Sequence, residues 1–232
     1  MANPLMSLIG NLILHKYSPK ESYKSSMPEL ADLLPIQNLK KREGAIITIF
    51  GRPLGGKTIC AYRLAEIIGR PTYAISPEQK PPPWIEELKI SDIADKPPPY
   101  STLIADDILS YFSSRDYNEP FAQAMESIIP AARHRRKLIV ILVAQTSGLA
   151  DKYGLRSDLV ILRAPDLLYE DIERSSIKKL QDRAASYWEG KSEGWLQRHA
   201  YIVSYDYAGL CRVNLPGKPV YQSEDTPPIS SD

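Results

Sequence analysis

The stretch Ala45-Ile46-Ile47-Thr48-Ile49-Phe50-Gly51-Arg52-Pro53-Leu54-Gly55-Gly56-Lys57-Thr58 decides how this chain is read. Its second half matches G-x-x-x-x-G-K-[ST], a loop whose backbone N–H groups cradle phosphates. The glycines let the chain turn tightly, Lys57 reaches the β- and γ-phosphates, and the Thr58 hydroxyl offers an oxygen ligand to Mg2+. Gly51, Arg52, Pro53, Leu54, Gly55, Gly56, Lys57, Thr58 and Ile59 are therefore the expected nucleotide-binding set. Ahead of the loop, residues 45–50 form a nearly continuous apolar, β-branched run, the pattern of a buried parallel strand. Behind it, Ile59 to Ile68 is rich in Ala, Leu and Ile and stops at Gly69, which predicts a helix. The positive end of that helix favours the same anion. Strand, loop and helix follow in the order the motif requires.

Further along, Thr72 to Ser76 predicts a second strand. Pro77 to Pro99 contains two triple-proline runs around a short helical piece, Trp84 to Lys89. Such runs favour stiff polyproline geometry and serve as surface connections or as a partner motif. The strand Thr102-Leu103-Ile104-Ala105 ends in Asp106-Asp107. An acid delivered at a strand end beside a phosphate loop is the second half of a nucleoside triphosphatase site, with Asp106 holding Mg2+ directly or through water, across from Thr58. Because the strand at 72–76 separates the two motifs in sequence, the RecA-like branch of P-loop folds is the better analogy.

Phe121, Met125, Ile128, Ile129 and Ala132 recur at helical spacing. The basic block Arg133-His134-Arg135-Arg136-Lys137 follows and leads into Leu138 to Ala144, the most strand-like run of the chain, closed by Gln145. At a strand end in a parallel sheet, Gln145 can orient an attacking water, sense a γ-phosphate, or satisfy loop amides. The basic block reads either as a solvated helix end or as an arginine finger or DNA-phosphate contact. Asp158 to Leu162 predicts a fifth strand. A long amphipathic helix runs from Pro165 to near Gly190, and Ala200 to Tyr205 with Leu210 to Asn214 form a terminal hairpin. The expected fold is thus α/β, RecA-like, a mainly parallel central sheet flanked by helices with a C-terminal β-hairpin. Residues 1–43 read as an N-terminal extension, 44–215 as the ATPase domain and 216–232 as a mobile tail.

The 232 residues, 43% hydrophobic and 25% charged, suit one substantial soluble domain. A formal net charge of +1 excludes a chain that coats nucleic acid by bulk charge, though not a local basic site. Cys60 and Cys211 have no metal-ligand spacing, and three scattered histidines do not make a zinc site. The apolar run Leu5 to Leu14 is too short to span a bilayer and lacks the flanks of a signal peptide. It reads as an amphipathic arm that packs on the domain or on a neighbouring subunit.

On Gly51 to Thr58, the strand ending at Asp106-Asp107, the segment Ala131-Ala132-Arg133-His134 and the strand ending in Gln145, the chain resembles the FtsK/HerA group of DNA-translocating ATPases. Within that group it is most similar to the small genome-packaging ATPases of tailless icosahedral viruses with internal membranes. The resemblance spans roughly residues 45–163 and implies an ATP- and Mg2+-dependent motor that moves double-stranded DNA into a preformed capsid. In its terms Lys57, Asp107, Gln145 and Arg133 are catalytic, Thr58 and Asp106 hold the metal, and Arg133 acts on a neighbouring subunit's nucleotide. That last role requires a homo-oligomeric ring, a pentamer or hexamer. Lys152 and Arg156 are candidate DNA contacts, and capsid or internal-membrane proteins are implied partners, in the host cytoplasm or the virion.

The sequence departs from the group where Asp107 replaces the usual Glu. The shorter side chain needs a closer approach or a bridging water, and Glu119 is an alternative base. Arg115 and Arg136 compete with Arg133 as the finger. Two rival readings share the loop: a membrane-associated assembly ATPase like the zonula-occludens-toxin-type phage proteins, and a non-motor nucleotide-binding switch that uses its proline runs.

Overall fold

The computed structural model describes residues 27–75, 80–93, 95–106, 120–144, 157–164 and 175–218. Its centre is β1 (Ala45–Phe50), every residue of which is buried. Around β1 lies an eight-stranded sheet in the order β3-β2-β4-β5-β1-β6-β7-β8. The other strands are β2 (Thr72–Ile75), β3 (Glu86–Glu87), β4 (Thr102–Ala105), β5 (Ile139–Ala144), β6 (Leu159–Leu162), β7 (His199–Ser204) and β8 (Ala208–Arg212). All pairs from β3 to β6 are parallel, and only β6/β7 and β7/β8 run antiparallel. This is the RecA-like α/β arrangement expected from the sequence, with the terminal hairpin extending the same sheet.

The apolar runs are continuous because helices cover both sheet faces. Ala45, Ile47 and Ile49 of β1, with Ile139, Ile141 and Val143 of β5, pack against α1 (Leu34–Lys41) and α2 (Lys57–Ile68). The alternate residues Ile46, Leu138, Val140 and Leu142 pack against Met125, Ile128, Ile129 and Ala132 of α3 (Pro120–Ala132). Pro130 falls in the last turn of α3 and does not stop that spacing. A third cluster joins Phe50, Ala144, Leu162 and Tyr201 to Ala184 and Trp188 of α4 (Ser175–Trp188).

Residues before β1 belong to this core as well. Leu30, Leu33, Ile36 and Leu39 are buried with the α2 face. Pro35 sits in the first turn of α1, where no N–H is missed, and Lys40 and Lys41 sit in its last turn, favourable to the helix dipole. The Arg212 amide donates to the Pro28 carbonyl at 2.9 Å, so the chain also lies along the free edge of β8.

The segment Trp84 to Lys89 corrects the sequence reading. It is a turn followed by β3, paired parallel to β2 at Tyr73↔Glu86 and Ala74↔Glu87. Flanking prolines hold the chain extended, and it pairs along the edge of β2 that β4 does not take, so Leu88 N–H bonds the Ala74 carbonyl (2.9 Å) instead of a helical partner. Trp84 meets Tyr62 of α2 edge-on at 6.3 Å. Among the described residues no helix is long and apolar enough to cross a membrane.

Candidate nucleotide-binding site

The phosphate loop leaves the sheet where β1 ends. The two residues after β6 hold both sides of that exit: Arg163 N–H donates to the Phe50 carbonyl (2.7 Å) and Arg52 N–H to the Ala164 carbonyl (3.0 Å). The loop then closes on itself, with Gly55 N–H on the Arg52 carbonyl at 3.1 Å and Lys57 Nζ on the same oxygen at 2.7 Å. Leu54 (φ 57°) and Gly56 (φ 76°) take left-handed backbone. Leu54 stands 90% exposed at the loop tip. The twelve-residue α2 begins at Lys57, and Gly56 supplies no side-chain cap. Its first N–H groups therefore remain for an anion at the positive end of the helix.

Beneath the loop lies a residue that sequence reasoning missed. Arg163 follows the last residue of β6 and is 2% exposed. Its Nε donates to the Gly55 carbonyl at 3.0 Å and its Nη2 to the Gln197 carbonyl. Burial pushes its pKa below the ordinary arginine value. The same burial pushes the nearby Cys60 and Cys211 thiols up. Gln197 follows α5 (Glu193–Leu196), and Glu193 forms an ion pair with Arg52 of the loop. The available signal was an arginine directly after a fully apolar strand, at the end of a parallel sheet where ligands gather.

Asp106 follows β4, and its amide donates to the Ile75 carbonyl at 3.2 Å. β5 stands between β4 and β1. Ala105 pairs with Leu142 and Phe50 with Ala144, so Asp106 and Gly51 leave the same end of the sheet, Gly51 two residues further along. Two strand spacings separate them, roughly 10 Å. A hydroxyl (Thr58) and a carboxylate (Asp106) are hard oxygen donors of the kind Mg2+ takes, together with waters and substrate phosphates. Asp107, Gln145, Lys152 and Arg156, and the alternatives Arg115 and Glu119, lie outside the described residues.

Arg133 sits at the other end of the sheet. Its Nε donates to Asp158 Oδ2 at 3.0 Å, and that oxygen also accepts the Ile46 amide at 2.8 Å. From Ile46 to Gly51 the strand advances roughly 16 Å, beyond an arginine's reach. Arg133 therefore does not touch the phosphate loop of its own chain. Arg136 donates to the Pro97 carbonyl at 3.2 Å.

No protein-family model matches the sequence, and no curated protein matches it. Among solved structures, the chain is similar to the genome packaging NTPase B204 of Sulfolobus turreted icosahedral virus 2 in complex with ATP-gammaS. The TM-score is 0.48 at 18% identity, over 75% of this chain and 99% of that one. B204, the DNA-packaging ATPase of Sulfolobus turreted icosahedral virus, gives 0.48 at 15% identity over 75% and 98%. The EccC ATPases 2 and 3 of Thermomonospora curvata give 0.46 at 13% identity, over 77% of this chain and 38% of that one. The fold assignment rests on the strand order described above.

Proposed function

We propose that this chain is an ATP-hydrolysing motor that moves double-stranded DNA, with genome packaging as its task. One observation carries the reading. An uncapped helix start and a closed glycine loop stand at the end of the central strand, with an acidic residue leaving the same end of the sheet two strands away. That is a site for a polyphosphate and its cation. The N–H groups opening α2 bind the phosphates, and Lys57 exchanges the Arg52 carbonyl for phosphate oxygen. Thr58 and Asp106 would hold Mg2+, which when bound would supply positive charge to the phosphates. Asp107 accepts the proton of the attacking water, and Gln145 orients that water. Arg133, out of reach of its own loop, is offered to a neighbour's nucleotide, where it stabilises charge on the transferring phosphoryl group. The motor is accordingly a homo-oligomeric ring, and Lys152 and Arg156 grip DNA phosphates.

The test is steady-state ATP hydrolysis with and without long double-stranded DNA, with Lys57→Ala as control. Stimulation by DNA that fades as salt rises, and is absent in Lys57→Ala, is the expected result. Hydrolysis indifferent to DNA would replace the motor with an assembly ATPase. ATP binding without hydrolysis in any oligomeric state would overturn the enzymatic reading.

A further inference from the structure

Arg163 is buried at the floor of the loop, and among the described residues it has no ion-pair partner. Its Nη1 is buried without a hydrogen-bond partner among the described residues. An apolar side chain of similar volume would fill this space with far less desolvation. The position of the charge is informative. Nε bonds the Gly55 carbonyl, which belongs to the Gly55–Gly56 peptide. In a trans peptide the carbonyl and the N–H point opposite ways, so holding this oxygen down turns the Gly56 N–H upward. Donation to the carbonyl also polarises that N–H and strengthens it as a donor to an anion.

The loop's glycines make room for the contact. A Cβ on Gly56 would come within 3.0 Å of Arg163 Nη2, and one on Gly51 within 2.6 Å of Arg163 Cβ. The second bond, to the Gln197 carbonyl, fastens the loop to the 192–197 segment, as does the ion pair between Arg52 and Glu193.

We propose that Arg163 is a positioning residue for the phosphate loop. It aims the Gly56 N–H at the bound phosphates and couples the loop to the C-terminal segment around α5. The inference rests on the reading of the loop as a nucleoside triphosphate site.

The test is calorimetric titration of ADP into the full chain as wild type, Arg163→Met, Arg163→Lys and Lys57→Ala, with the melting temperature of each variant. Arg163→Met is expected to bind ADP at least about ten-fold more weakly, the scale of one charge-assisted hydrogen bond. Its melting temperature should equal or exceed the wild-type value, because a buried charge with no ion-pair partner among the described residues has gone. Arg163→Lys keeps the charge but not the two-point fork, and should fall between. A merely structural arginine would lower the melting temperature and leave the affinity alone.

Wild-type affinity in Arg163→Met overturns the inference. Should that variant be insoluble, Arg163→Lys decides: weakened binding supports the inference and wild-type binding overturns it. A wild-type protein that binds no ADP removes the nucleotide-site reading together with this inference. A wild type that binds while Arg163→Met binds equally removes this inference alone.

Discussion

Replacing Asp158 by alanine removes three interactions at the start of the central strand. Its carboxylate accepts the Ile46 amide at 2.8 Å, Arg133 Nε at 3.0 Å and Arg42 Nη1 at 3.2 Å. Ile46 is 1% exposed, so its N–H would be left without water, at a cost of about 1–3 kcal/mol. The arginine side chains are 39% and 50% exposed, and each such pair contributes only about 0–1 kcal/mol. The sum is about 3 kcal/mol, which for a chain of this size lowers the melting temperature by roughly 6–12 °C. Asp158→Asn keeps an acceptor for the Ile46 N–H and should lose about half as much, mostly the part that added salt also removes. The assay is thermal unfolding of wild type, Asp158→Ala and Asp158→Asn at low and high salt. The reasoning fails if Asp158→Ala melts within about 2 °C of wild type, or if Asp158→Asn is no better than Asp158→Ala.

Two more outcomes are expected. A Cβ on Gly44 would lie 2.2 Å from the Ala132 carbonyl oxygen, 2.8 Å from that of Leu138 and 2.9 Å from Arg133 Cα, all backbone atoms. Gly44→Ala should thus cost about 3 kcal/mol or more, read as a lower urea midpoint, and an unchanged midpoint would contradict the packing. Burial pushes the His199 imidazole below its ordinary value of 6.5; the Trp195 carbonyl opposes this, and the charges of Arg163, Arg198 and Arg212 add to it. Between that lowered value and 6.5 the unfolded chain binds more protons, so stability falls as pH drops below about 6.5. In urea titrations across this range His199→Phe should flatten that decline, and an unchanged slope would rule His199 out as its source.

The legible parts of the chain were those where local pattern and tertiary environment agree. β1, β4 and β5 are buried throughout and β6 nearly so, and their sequences are apolar or β-branched at every position and stand out unaided. The loop announces itself through fixed glycine spacing. Trp84 to Lys89 misled because its conformation is set by the open edge of β2, a partner distant in sequence. Arg163 escaped notice for a related reason: nothing in its neighbours shows that Gly55 and Gln197 converge on it. Arg133 was legible as a charge of interest, but its place at the far end of the sheet follows from Asp158 and the direction of β1.

The strand order also fixes when the molecule can fold. β1 is made early, yet its two neighbours are β5 and β6, residues 139–144 and 159–162. A nascent chain must hold the run Ala45–Phe50 unpaired on both edges until roughly a hundred more residues have left the ribosome, which takes on the order of 5–20 s at ordinary synthesis rates. Closing so long a loop is slow. Through that interval this apolar, β-prone strand is open to a second copy or to a chaperone, and the phosphate loop that follows its last residue has no fixed shape. Truncations ending before residue 139 should therefore aggregate, and the phosphate loop should be among the last parts of the protein to acquire its form.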